Sequence, residues 1–307
     1  MDTPVAIIIN IAHFHLPGLF EFYEFYRVFL PLYQNKREYF YEWCDIASIY
    51  GAPQDCLWGG GRTGFEDAHP KEKDVLALME KYDISPRLTF SNSLLTEEHL
   101  SDKKCNGLCE LFGKSKSQAG IILYSDLLLD FLKNKYPSLY FVSTTTKVLT
   151  DFSDFQAELN RSDFQYVVPD FRLNKFFEKL KSLSQNQKDK VEFLCNECCD
   201  FACSDRKKCY ENVSRKNLGE EVENHRCKAQ NSEKGYRFSS AKKNPGFIGI
   251  EDIQNIYLPM NFTNFKIEGR GLGSAMILEF LLYYMVKPEY QLEVREEIYL
   301  DAMLDLF

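Results

Sequence analysis

Eight short apolar runs, each followed by a helical or irregular crossover, constrain this chain more than any other feature. They are 5–11 (VAIIINI), 46–50 (IASIY), 87–91 (RLTFS), 120–124 (GIILY), 139–143 (LYFVS), 165–168 (QYVV), 191–194 (VEFL) and 262–267 (FTNFKI). Runs of this length and composition read as strands, and most are apolar on both faces, as strands covered on two sides must be. Repeated β–α units lay such strands parallel. Eight of them predict an α/β fold closed into a (β/α)8 TIM barrel. An open doubly wound sheet is the alternative.

The segments between the runs carry helix signals. An aromatic-rich stretch, 19–43, reads as helix interrupted at Pro31. Pro70 opens a helix running to position 82. Thr96, with His99 three residues on, caps a helix expected to run to position 112, and Ser125 caps another ending before Pro137. Further helices are expected over 154–159 and 175–184. The run 275–286 reads as a buried helix.

Polar residues gather where each run ends. Asn10, Ser91, Asn92, Ser125, Thr144, Lys147, Asp170, Arg172, Asn174, Asn196, Glu197, Lys266, Glu268 and Arg270 all fall at or just past an expected C-terminal strand end. In a TIM barrel that end is the active face. Each residue singly is also what a helix cap or loop requires. Together they favour the barrel over the open sheet.

Composition sets the outer limits. The chain has 307 residues, 45% hydrophobic and 27% charged, which excludes a disordered protein. It is read as one barrel domain, 1–307, carrying a polar insertion, 204–246, after the seventh strand. A loop that long inside a compact domain is commonly functional. The net charge of −8 argues against broad electrostatic capture of nucleic acid. No apolar run approaches the roughly 20 residues of a membrane span. The opening MDTPVAIIINIAHF has no basic segment before its apolar run, so a cytoplasmic, reducing location is expected.

That location bears on the cysteines. Six of ten lie between 195 and 227: Cys195, Cys198, Cys199, Cys203, Cys209 and Cys227. Cys195, Cys199 and Cys203 recur every fourth residue, which would align them on one face if the segment were helical. Three readings compete. Cysteine packs as a small hydrophobe, the simplest account of Cys44, Cys56 and Cys109. A disulfide framework needs an oxidising compartment and belongs mostly to small secreted domains. A metal site is the third, because thiolates select zinc, copper(I) and iron–sulfur clusters. Zinc sites usually show paired Cys-x2-Cys knuckles. The wider, irregular spacing here suits a cluster at least as well.

A glycine-rich turn, 51–64, contains Trp58-Gly-Gly-Gly-Arg62. It lacks the Gly-Lys-Ser/Thr ending of a P-loop. It reads either as a tight loop or as a ligand-facing loop with Arg62 as an anion contact. His13 and His15 read as structural or loop residues.

Three places resemble the collagenase-like peptidase family of unknown catalytic type (family U32), including its relatives in anaerobic ubiquinone hydroxylation and RNA hydroxylation. The first is Phe265-Lys-Ile-Glu-Gly-Arg270, close to the family's Lys-Ile-Glu-Gly-Arg ending on the last barrel strand. The second is the run 191–203, a strand entering cysteines, with Cys227 further on. The third is Asn196-Glu197 followed by Cys199-x3-Cys203-x2-Arg206, similar to the family's glycine-and-cysteine motif but with Asn-Glu in place of the glycine. The resemblance implies a TIM barrel holding a 4Fe–4S cluster on four cysteines. By position these are Cys199, Cys203, Cys209 and Cys227, with Cys195 able to replace Cys209.

The resemblance implies hydroxylase-type chemistry on a small aromatic or nucleobase substrate. Arg62, Asn92, Lys147, Asp170, Arg172 and Lys266 are the expected substrate contacts, and Glu197, Glu268 and Arg270 the expected catalytic groups. A ring of mutually satisfied ion pairs is the structural alternative for these charges. Two other functions stay open. One is a peptidase or other hydrolase, with zinc as the alternative metal. The other is a cluster-bearing accessory subunit with a homologous partner chain. No His-Glu-x-x-His zinc motif is present.

Overall fold

Strands form here where one face meets helices and the other turns into a barrel. A computed structural model describes residues 10–61, 70–223, 225, 227 and 236–303. Its strands are β1 (Ala12–Pro17), β2 (Cys44–Gly51), β3 (Ser85–Phe90), β4 (Gly120–Leu123), β5 (Tyr140–Ser143), β6 (Tyr166–Val167), β7 (Glu192–Leu194) and β8 (Asn264–Lys266). All pair in parallel, in the order β6-β5-β4-β3-β2-β1-β8-β7. A single parallel bridge, Val167 to Val191, joins the two edges. The result is a nearly closed (β/α)8 barrel. A doubly wound sheet would reverse its strand order at a switch point; here each strand lies beside its sequence neighbour, and the last reaches back to the first.

The helices are α1 (Tyr23–Asn35), α2 (Glu72–Lys81), α3 (Lys103–Phe112), α4 (Asp126–Lys135), α5 (Phe152–Leu159), α6 (Phe177–Lys181), α7 (Gln185–Lys190), α8 (Arg206–Asn217), α9 (Phe238–Ala241), α10 (Ile250–Asp252), α11 (Ser274–Tyr284) and α12 (Gln291–Met303). Alternation along each strand divides the core. Phe14 packs on Tyr284 of α11, and Phe193 on Tyr257 and Phe262, all outside the barrel. Tyr50, Ile122, Val142, Val168 and Leu194 form a separate apolar cluster inside it.

Several expectations need correcting. The barrel's first strand is Ala12–Pro17, not 5–11; of that run only Asn10 and Ile11 are among the described residues, and neither is strand. The two histidines broke the apolar pattern, yet the pleat sends Phe14 and Leu16 outward and His15 into the barrel. Asn10 therefore precedes β1, at the end opposite the active face, where Nδ2 donates to Leu258 O at 3.0 Å. Pro31 does not interrupt α1. A proline inside a helix costs about 3 kcal/mol. Burying Phe25, Tyr26, Phe29 and Leu30 returns roughly 1.5–3 kcal/mol each. The helix expected over 96–112 is split. Thr96 and His99 form a capping box on a 3-10 turn, Glu97–Ser101. Asp102 then caps α3 by accepting from Cys105 N at 2.7 Å. The helix expected over 175–184 is the shorter α6, and Ser184, expected to end it, instead caps a further helix, α7.

Among the described residues no helix is long and apolar enough to cross a membrane. The stretch 204–246 is not without structure: it contains α8 and α9.

Candidate functional site

The C-terminal mouth of the barrel holds a cavity of about 280 Å³. Tyr50, Ile122 and Leu194 give it an apolar floor. Thr89, Ser91 and Thr144–Thr146 form one wall, and Cys198, Lys266, Glu268 and Arg270 another.

Beneath that floor is a buried ion cluster. Glu192 of β7 accepts from Arg87 Nη1 of β3 at 2.5 Å and from Lys266 Nζ of β8 at 2.8 Å. His15 Nε2 of β1 lies 3.6 Å from the same carboxylate, and its Nδ1 is 2.8 Å from Ser48 Oγ of β2. Tyr140 of β5 receives Arg87 Nε at 2.7 Å, and the Lys266 ammonium sits 3.6 Å over the Tyr50 ring. All four charged or ionisable groups are at most 5% exposed. Burial opposes the charge on Glu192, but Arg87, then His15 and Lys266, outweigh it and hold the carboxyl well below the usual range. Burial pushes Lys266 down to about 8, and repulsion from Arg87 adds to it against the pull of Glu192. Burial, reinforced by Arg87, keeps His15 neutral. Two cations thus share one carboxylate.

The segment after β7 is tied down from several sides. It is a succession of turns, so the fourfold spacing of Cys195, Cys199 and Cys203 makes no helix. Asn196 clamps β7 to β8: Nδ2 donates to Glu268 O at 3.0 Å, and Oδ1 accepts Glu268 N at 2.7 Å. Glu197 Oε1 accepts Cys199 N at 2.9 Å. Arg172 donates to Phe201 O at 2.9 Å and Cys203 O at 2.6 Å. Asn244 donates to Cys199 O at 2.9 Å. Arg206, at the start of α8, is 1% exposed. It pairs with Glu197 and with Asp170 Oδ2 at 3.2 Å, and lies 4.8 Å over the Phe171 ring. Asn92 Nδ2 donates to Ser214 O at 3.1 Å, seating α8 on the mouth.

The fold resembles that of a solved U32 peptidase. That protein, Mk0906, aligns with a TM-score of 0.51 at 13% identity, over 88% of this chain and 97% of its own. The likeness is one of fold. No family model and no curated protein matches the sequence.

The expected site residues divide on this framework. Lys266, Glu268 and Arg270 line the cavity. Arg270 Nε also pairs with Glu21 at 2.6 Å, and Glu268 Oε1 accepts from the Cys198 thiol at 3.2 Å. Glu197, Cys198 and Glu268 bring ligand atoms within 4.8 Å of one another. Asn92, Lys147, Asp170 and Arg172 do not line the cavity. Lys147 pairs with Glu158 at 2.5 Å, and the other three hold α8 and the thiol loop. Arg62 lies outside the described residues. Of the expected thiol ligands, Cys199 is buried, Cys203 and Cys209 are half-buried and Cys227 is exposed. Cys195 belongs to the apolar core outside the barrel, and burial pushes its thiol far up. Cys198 is the thiol on the cavity wall.

Glu192, Arg87, Cys198 as a wall residue and Arg206 as a tie are not among the expected site residues, and His15, expected to be structural, sits buried against Glu192. A signal existed for the first two. Each is a charge inside a run that reads as a buried strand, and a buried charge must be paired.

Proposed function

We propose that this chain is a thiolate-site barrel enzyme related to the U32 collagenase-like peptidases, with a 4Fe–4S cluster on Cys199, Cys203, Cys209 and Cys227. Its reaction class is hydroxylase-type, on a small aromatic or nucleobase substrate bound in the mouth cavity. The observation that carries this reading is the concentration of thiols on the loop after β7 and on α8, against a cavity at the barrel's C-terminal mouth. The donor set is four soft thiols without a carboxylate, which fits a thiolate-selecting group. When bound, the cluster would supply the one-electron chemistry. The chain's own residues orient and exclude. Arg172, Asn244 and Arg206 hold the thiol loop. Tyr50, Ile122 and Leu194 offer an apolar floor for a planar substrate. Glu268 and Arg270 stand at the rim, placed to move a proton and to hold an acidic group.

The test is an ultraviolet–visible spectrum with iron and zinc analysis of protein purified without oxygen. A broad band near roughly 400 nm with several irons per chain is expected. Alanine replacements at Cys199, Cys203, Cys209 and Cys227 should each diminish both. A protein with neither iron nor band overturns the proposal.

One observation favours a second reading. Glu197, Cys198 and Glu268 lie close enough to hold a single ion, and three protein ligands with an open position are what a hydrolytic zinc needs. One zinc per chain, lost in Cys198→Ala and not in Cys209→Ala, would establish that reading instead.

A further inference from the structure

The cavity has a polar feature that the thiols do not explain. Arg87, Thr89 and Ser91 are alternate residues of β3 and its exit, so they face inward in a column from floor to rim. Arg87 is spent on Glu192 and Tyr140. Thr89 and Ser91 line the cavity, 6% and 2% exposed. Their hydroxyl oxygens are buried and have no hydrogen-bond partner among the described residues. Leaving a buried hydroxyl unbonded costs about 1–3 kcal/mol, so two on one wall call for a partner. The neighbouring Thr144, Thr145 and Thr146 hydroxyls are engaged with one another, Pro169 O and Arg206.

Facing this column, Lys266 brings its ammonium to the same cavity. That group has three N–H donors. It donates to Glu192 and rests on the Tyr50 ring. Arg87 and Lys266 carry two positive charges against the single charge of Glu192, and His15 adds none. Within this trio the cations outnumber the carboxylate, and the same cavity is also lined by Glu268 and by Arg270, which pairs with Glu21. Gly61 borders Ser91 at the entrance with a φ of +79°, a left-handed conformation that favours glycine.

We infer that Lys266, Thr89 and Ser91 form an oxyanion subsite for the carboxylate of a small organic acid whose apolar body lies on Tyr50, Ile122 and Leu194. One ammonium and two hydroxyl donors match a monoanionic carboxylate better than a phosphate dianion. A cavity of about 280 Å³ takes a body of one ring, not a peptide segment. The inference rests on the mouth cavity being the substrate site and does not depend on which metal the thiols hold.

The test is isothermal titration calorimetry of the full chain with benzoate, benzamide and inorganic phosphate, with iron and zinc measured in every sample. Benzoate should bind at least tenfold more tightly than benzamide or phosphate. Lys266→Met should abolish that preference; Arg87 remains to pair Glu192, so the variant should fold. Thr89→Val, nearly isosteric, should weaken benzoate several-fold with an unchanged melting temperature. Equal affinity for benzoate and benzamide, benzoate binding unaltered in Lys266→Met, or no benzoate binding would each overturn the subsite. Metal-free protein that still prefers benzoate would sink the cluster reading and leave the subsite standing. Metal-loaded protein that ignores benzoate would do the reverse.

Discussion

Glu192→Gln is the most informative single change for the barrel floor. The substitution keeps the side chain's size and one carbonyl oxygen. It removes the negative charge between Arg87 at 2.5 Å and Lys266 at 2.8 Å. Breaking a buried ion pair by removing one partner costs about 3–5 kcal/mol, because the remaining charge stays buried. Two cations are stranded here, so the upper part of that range is expected. Unfolding entropy of about 2.1 cal/mol/K per residue over 307 residues is about 0.6 kcal/mol/K, which makes the loss about 5–8 °C in Tm. The pH dependence has a definite sign. Glu192 is held below its ordinary range when folded, so its contribution is present above about pH 4.5 and fades as pH falls further. Lys266 is lowered to about 8 with Glu192 in place, and losing that carboxylate lowers it further. In the variant the lysine sheds its proton earlier, and the folded state gains stability from a lower pH. The deficit should therefore be largest near pH 5–6 and smaller both below pH 4 and near pH 8. Thermal melts followed by circular dichroism across that range measure it. A Tm within a degree of the parent at pH 6, or a deficit that grows toward pH 8, would refute the buried-charge argument.

Three further outcomes are expected. Arg206→Met removes the cation between Asp170 and Glu197 and should cost about 3 kcal/mol in urea unfolding; in metal-loaded protein it should also speed metal loss to a chelator, since Glu197 holds Cys199 N. Gly120→Ala places a Cβ 2.4 Å from the Tyr140 ring inside the barrel, and the overpacking should lower stability by about 1–3 kcal/mol in the same assay. Iodoacetamide should modify exposed Cys198 well before buried Cys195, whose thiol burial pushes far up; peptide mass mapping reads the order.

Much of the architecture is legible in the chain because a barrel strand must be apolar toward its helices whatever else it does. Seven of the eight strands sit where a short apolar run marks them, and Ser125 caps α4 through the bond its residue type predicts. The exception is instructive. Ala12–Pro17 carries two histidines and was passed over for the stronger run 5–11. Strand pairing with β2 and β8, not local hydrophobicity, decides which segment enters the sheet. The site was less legible for a related reason. The Phe265–Arg270 motif and the thiols after β7 stand out as residue types, so Lys266, Glu268 and Arg270 were found. Lys266 pairs with Glu192 and Arg270 with Glu21; Glu192 stands out as a charge in a buried strand, but its own segment does not name its partners.

The sequence by itself determined the strand–helix alternation, the crowding of thiols behind the seventh strand, and the face of the barrel that carries polar groups. These follow from local chemistry: side-chain period, turn residues and residue type. Tertiary structure alone decided which charges meet. Glu192 lies 105 residues from Arg87 and 74 from Lys266. Thr89 and Ser91 are ordinary strand-end hydroxyls until barrel closure buries them, without partners among the described residues, in the same cavity as the Lys266 ammonium. Pairing energies and burial depend on distances across the barrel, and no local pattern in a chain of this length encodes them.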